Sequence, residues 1–236
     1  MVTGGSYKDD CQVFDMTSNN SCSNISPYPL ELQDATGVVL YGSPLICGGY
    51  GRKSGESSNA YQSSCYIHHR SSNLWKLHAT MNSTRRLLSS AVTDGALWVT
   101  GGQTDGNSYL NSTEYIFSNG TVTKGPYLPT GRSGHCMVTL HDDKVMILGG
   151  YPSSSYRNVL IFDPKDNSFI TGPSLRSDKI YGACAQFLSA KHNNRPVVLA
   201  AGGNGYRRTE ILDYTNANTW EESKYICPPL KVILSY

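Results

Sequence analysis

The chain holds six histidines and seven cysteines, the residue types best suited to metal binding or nucleophilic attack, and their spacing decides which chemistry is open to them. No two of Cys11, Cys22, Cys47, Cys65, Cys136, Cys184 and Cys227 stand in the Cys-x-x-Cys spacing of a zinc or redox site. None of His68, His69, His78, His135, His141 and His192 belongs to a ligand motif, and the adjacent His68-His69 reads as a solvated pair. The sequence has no Gly-x-Ser-x-Gly elbow, phosphate loop or His-Glu-x-x-His helix. Gly202-Gly203-Asn204-Gly205 is glycine-rich, yet no helical pattern follows it to make a nucleotide site. These patterns predict a protein that is not an enzyme and carries no cofactor or metal.

Thiols outside metal spacing can form disulfides or be buried as small hydrophobes. Five sequons, at Asn19, Asn24, Asn82, Asn111 and Asn119, are only slightly more than this composition yields by chance, but all fall in predicted loops or at strand ends. With the cysteines they predict an extracellular or secretory-pathway protein, a cytoplasmic one being the alternative. A net charge of +2 without a basic run argues against nucleic acid as a partner. No apolar run approaches the roughly 20 residues that span a bilayer, so no membrane insertion is expected.

The elements that must position these residues recur. Gly-Gly doublets stand at Gly4-Gly5, Gly48-Gly49, Gly101-Gly102, Gly149-Gly150 and Gly202-Gly203, at intervals of 44, 53, 48 and 53 residues, the mark of a repeat array. Two short apolar strands precede a doublet, as in His135–Leu140 and Lys144–Leu148, joined by turn formers such as Asp94-Gly95 or His141-Asp142-Asp143. A polar loop follows, then a third strand such as Glu114–Phe117, Val159–Asp163 or Glu210–Tyr214. A second turn, clearest at Asp163–Asn167, leads to a fourth segment holding Trp75, Phe169 or Trp220.

Four strands per unit place Cys47 at the end of a second strand and Cys65 at the start of the third, close enough for a disulfide. Cys11 and Cys22 flank a turn between third and fourth strands and form a second candidate pair. The alternative is that all seven cysteines are buried and unpaired, a reading that fits Cys136 and Cys184 best because they occupy equivalent inner-strand positions.

With Arg132, His135, Gly149-Gly150 and Phe162 in one unit, Arg86, Gly101-Gly102 and Tyr115 in another, and Trp75 and Trp220 in two more, the chain resembles the kelch-repeat family. The resemblance implies an all-β kelch-type β-propeller over residues 1–236, with a partial blade at 1–30 and four-stranded blades near 35–80, 86–129, 132–174 and 180–229. Met1-Val2-Thr3 can supply only the end of a second strand, so a fragment of a larger propeller is expected; the alternative is a five-bladed ring closed by a strand at 231–236.

In kelch propellers the loops after the doublets and those between blades share one face, where peptide-binding members take their ligands. That resemblance implies ligand-binding roles for Tyr50, Arg52, Arg86, Arg132, Tyr156, Arg157, Arg176, Tyr206 and Arg207, and ten of the 20 basic residues fall on that face. Tyr and Arg provide contact area while Ser and Gly permit fit. The expected function is binding of an acidic protein segment or glycan by a secreted or cell-surface module. The alternatives are an intracellular substrate-recruiting module of a ubiquitin-ligase adaptor and, more remotely, a fold relative of the copper-radical oxidases, whose Tyr-Cys cross-link and two His ligands have no counterpart cluster here. A competing reading has the leading arginines bonding backbone carbonyls rather than ligands.

Overall fold

A computed structural model describes residues 25–106, 108–203 and 208–223 in full, and residues 2–3, 11–15 and 20–22 by backbone alone. The doublet Gly4-Gly5, Asn19, Asn24, Tyr206, Arg207, Cys227 and the 231–236 segment lie outside the described residues. Among the described residues the chain is all-β, with 3-10 turns at Ser153–Ser155 and Ala190–His192 and no α-helix.

Strands β1 (Val2–Thr3), β2 (Cys11–Asp15) and β3 (Asn20–Cys22) pair in order as an antiparallel sheet. Next come β4 (Glu31–Gln33), β5 (Thr36–Leu40), β6 (Ser43–Cys47), β7 (Tyr50–Arg52), β8 (Ala60–Tyr61), β9 (Ser64–His69) and β10 (Leu74–Thr80). Of these, β5-β6-β9-β10 form a four-stranded sheet, and β4-β7-β8 form a small sheet of their own. A second four-stranded sheet contains β11 (Ser89–Thr93), β12 (Ala96–Thr100), β13 (Thr113–Ile116) and β14 (Val122–Lys124). The third contains β15 (Cys136–Thr139), β16 (Val145–Leu148), β17 (Val159–Asp163) and β18 (Ser168–Thr171). The fourth contains β19 (Ala183–Ser189), β20 (Arg195–Ala201), β21 (Thr209–Leu212) and β22 (Glu221–Glu222). Every pairing is antiparallel between neighbours, as hairpin connections require.

Position in the sheet explains each strand's composition. The second strands Ala96–Thr100 and Val145–Leu148 are buried at every residue, because sheets cover both of their faces. Their sequences are therefore continuous apolar runs rather than alternating ones. The outer strands Val122–Lys124 and Ser168–Thr171 are mostly exposed and carry polar residues that blunt a free edge. The Asp94-Gly95 turn has φ of 49° and 70°, the left-handed pair that a two-residue hairpin demands.

Successive sheets bury their faces against each other. Leu45, Leu97, Val99 and Ile116 join the first and second sheets, Trp98, Val145, Ile147 and Phe162 join the second and third, and Met146, Leu148, Val198 and Trp220 join the third and fourth. Burying a side chain the size of Leu97 contributes about 1.5–3 kcal/mol. Tyr28, Leu30 and Leu32 cover Ile46 and Trp75 on the remaining face of the first sheet. The first strands β5, β11, β15 and β19 pack side by side in sequence order.

That adjacency corrects the expectation for two cysteines. Cys136 on β15 and Cys184 on β19 form a disulfide across neighbouring sheets, with Cα atoms 5.9 Å apart. Equivalent positions on adjacent inner strands face each other, so the register that suggested unpaired thiols instead places the two sulfurs in bonding reach. Cys47 and Cys65 are directly opposite on β6 and β9 and form a second disulfide. In the β1-β2-β3 sheet, β2 and β3 set Cys22 opposite Val13, while Cys11 faces Thr3 on β1; the side chains of Cys11 and Cys22 are outside the described residues.

Candidate functional site

The doublets create the loop face by turning the chain out of each sheet. Gly149 and Gly150 have φ of 65° and 98°, conformations that an L side chain enters with strain. A Cβ on Gly149 would collide with the Lys179 carbonyl, so glycine is needed for close approach as well as for backbone angle. In three doublets the second amide reaches the following repeat: Gly49 donates to the Arg85 carbonyl at 2.7 Å, Gly102 to that of Arg132 at 2.8 Å and Gly150 to that of Lys179 at 2.8 Å.

Those three carbonyls belong to buried cations that bond inward. Arg85 donates to the Gly101 carbonyl at 2.7 Å, to the Ser112 carbonyl at 2.9 Å and to Glu114 at 3.0 Å. Arg132 donates to the Gly149 carbonyl at 3.2 Å and to Asn158 Oδ1 at 2.8 Å. Lys179 pairs with Glu210 at 3.1 Å and donates to Ser177 Oγ at 2.5 Å. Burial pushes the Arg132 guanidinium down to about 10, and lowers Arg85 as well, although Glu114 opposes that shift. Burial pushes the Glu210 carboxyl up, but bonds from Ser177 and the Arg176 amide and the Lys179 charge together hold it below its ordinary value.

Arg132 is therefore not a surface ligand contact. Only 1% of it is exposed, because its guanidinium closes the turn between Gly149 and Asn158. His135 is buried beside it and meets Thr100 Oγ1 at 2.7 Å. Burial first, and then the Arg132 charge, hold the His135 imidazole well below its usual range.

Above this layer lies a band of tyrosines from three successive loops. Tyr50 and Tyr61 meet edge to face at 5.1 Å, and the Arg86 guanidinium lies 5.5 Å and 5.4 Å from their ring centres. Arg86 also donates to Gln103 Oε1 at 3.1 Å. Arg86 and Gln103 exchange backbone bonds, as do Ser133 and Tyr151, so each loop is anchored to the segment leading into a sheet. Tyr109, Tyr151 and Tyr156 continue the band, with centroid separations of 5.8 Å and 5.3 Å. A hydrogen bond with Tyr151, followed by burial, raises the Tyr156 phenol to about 12.

Acids accompany the half-buried Arg52 and Arg86 and the exposed Arg157. Arg52 pairs with Glu31 at 3.0 Å, Arg86 with Asp34 at 4.0 Å and Arg157 with Asp178 at 2.7 Å. Arg176 is exposed, and its guanidinium lies 3.5 Å from the Trp220 carbonyl. Beside Tyr156 a pocket of about 320 Å³ is lined by Ser153, Ser154, Arg157, Asn158, Ser174 and Asp178. The structure thus brings Tyr50, Arg86 and Tyr156 into one band, sets Arg52 and Arg157 at its margins as ion pairs, and withdraws Arg132 from it.

Sequence reasoning missed Tyr61 and the serine-lined pocket. Tyr61 belongs to the small sheet, where it faces Tyr50 across β7 and β8. The polar stretch between two tyrosines was the available signal for that hairpin. Of the sequons, Asn111 and Asn119 are exposed, whereas the exposed Asn82 directs its amide nitrogen to Glu114 at 2.8 Å. Among the described residues, no group of three or more His, Cys, Asp or Glu converges as a metal site, and no helix is long and apolar enough to cross a membrane. No known protein family matches the chain, and no curated protein matches it either.

Proposed function

We propose that this chain is a kelch-type β-propeller, or part of one, that binds an extracellular protein or glycan through the tyrosine band on its doublet side. The observation that carries this reading is the convergence of Tyr50, Tyr61, Tyr109, Tyr151 and Tyr156 from three loops onto one anchored surface. Face-to-face stacking of four-stranded sheets with adjacent first strands supports the propeller. Two disulfides support an oxidising compartment and weigh against the intracellular adaptor. Counter-ions on Arg52, Arg86 and Arg157 weaken the positive field expected to select acidic ligands, leaving aromatic contact as the main attraction.

The test is binding to immobilised acidic peptides, sulfated glycans and neutral glycans by the parent and by a Tyr50→Ala/Tyr151→Ala variant. Loss of at least tenfold in affinity for whichever class binds is expected, with Lys165→Ala, in an opposite turn, unchanged. Equal affinity of the parent and the double variant would refute the assignment of this face.

A further inference from the structure

We infer that the pocket beside Tyr156 is a subsite for a neutral saccharide unit. The inference rests on the reading of the doublet side as a binding face, and it assigns the ligand chemistry of one part of it. The pocket volume of about 320 Å³ suits a small polar ring, within the lower range of small-molecule sites.

Its lining supplies what a sugar ring requires. Arg157 and Asp178, bonded at 2.7 Å, place a donor and an acceptor next to each other, the arrangement that vicinal hydroxyls satisfy in a bidentate manner. Ser153, Ser154 and Ser174 add hydroxyls that serve as donor or acceptor. The Asn158 carboxamide is fixed because its Oδ1 accepts from the buried Arg132 at 2.8 Å, so its amide nitrogen is presented in a set direction. Arg132 is thereby a positioning residue for this subsite. Tyr156, fastened against Tyr151, forms a flat apolar wall for the C–H face of a ring.

Charge selects against the other ligands. A sulfate or carboxylate drawn to Arg157 also meets Asp178, and a cation drawn to Asp178 also meets Arg157. A neutral polyol bonds to both without displacing either. A peptide side chain would need an enclosed apolar anchor cavity, and here Tyr156 supplies a single apolar wall while the rest of the lining is hydroxyls, an amide and an ion pair.

The experiment is an amide and side-chain NMR titration of the intact chain with methyl α-mannoside, methyl β-galactoside and N-acetylglucosamine. Parallel arms use N-acetylneuraminic acid, inorganic sulfate and an acidic peptide. At least one neutral sugar is expected to shift Ser153, Ser154, Arg157 and the Asn158 side-chain amide with millimolar affinity. Asp178→Asn should weaken that sugar at least tenfold while leaving the rest of the spectrum folded, and Tyr156→Phe should keep more affinity than Tyr156→Ala. Sulfate or N-acetylneuraminate occupying the pocket more tightly than every neutral sugar would overturn the neutral assignment. Shifts confined to Tyr50, Tyr61 and Arg86 would overturn the subsite and leave the binding face standing. If no ligand shifted any resonance on the doublet side, both readings would fall.

Discussion

Replacing Glu114 with leucine exposes the cost of orphaning a buried cation, and the molecule contains its own control. Glu114 is opposite Val99, two residues before its doublet, and Leu160 is opposite Ile147 in the same place in the next repeat. Leucine is thus sterically native to the position. In the second sheet, however, the carboxylate accepts from the Asn82 amide at 2.6 Å, from the Ser83 amide at 3.2 Å and from Arg85 at 3.0 Å. Arg85 has no exposed side-chain surface and Glu114 only 2%, so solvent cannot replace what the substitution removes. Breaking such a pair from one side costs about 3–5 kcal/mol. With a urea dependence near the upper end for domains, about 3 kcal/mol per molar, the unfolding midpoint should fall by about 1–1.7 M. The Ser83 amide should lose protection against hydrogen exchange by about 2 to 3.5 orders of magnitude, at about 1.4 kcal/mol per tenfold change. Exchange separates local opening of one repeat from unfolding of the array, which urea alone does not. The double variant Arg85→Met/Glu114→Leu should recover part of the loss, since no unpaired charge remains. A single variant within about 1 kcal/mol of the parent, or a double variant worse than the single, would refute the reasoning.

Two further outcomes follow from the same layer. His135 is neutral when folded and takes up a proton near pH 6.5 once unfolded, so its stabilising contribution is complete above that value and declines as pH falls, by at most about 1.4 kcal/mol per unit. Urea midpoints at pH 7.5 and pH 5 should therefore converge in His135→Gln, and a parallel acid loss in parent and variant would exclude this histidine as the cause. Gly149→Ala combines a left-handed φ of 65° with collision against the Lys179 carbonyl, while Gly42→Ala has φ of 75° and no atom within 4 Å of the new carbon. Both pay the left-handed cost of about 1–2 kcal/mol, but only the first should exceed it by thermal melting; equal losses would deny the close approach.

Periodicity and turn chemistry made the strands legible, because a sheet buried on both faces forces runs such as Leu97-Trp98-Val99 and the doublets force an exit from it. Charge was harder to read. Arg85 and Arg132 stand next to polar residues in what the chain presents as a loop, and nothing local distinguishes an arginine pointing into a turn from one pointing to solvent. Their burial depends on acceptors more than 15 residues away, at Gly101 and Gly149. The same applies to Glu31, Asp34 and Asp178, which the sequence counts as a scattered minority and the fold sets beside Arg52, Arg86 and Arg157. The Cys136–Cys184 bond needed the spatial order of the first strands, which a repeat pattern implies but does not measure.

The bonds from Gly49, Gly102 and Gly150 to the carbonyl of the next repeat's leading cation also have a direction in time. During synthesis a doublet emerges before its acceptor, so Gly49, Gly102 and Gly150 each wait with an unsatisfied turn until Arg85, Arg132 or Lys179 has been made. A sheet can therefore form its ladders on arrival, yet its exit loop is set only by its successor. The tyrosine band would then be assembled stepwise and in order, each loop fixed by the part of the chain that follows it.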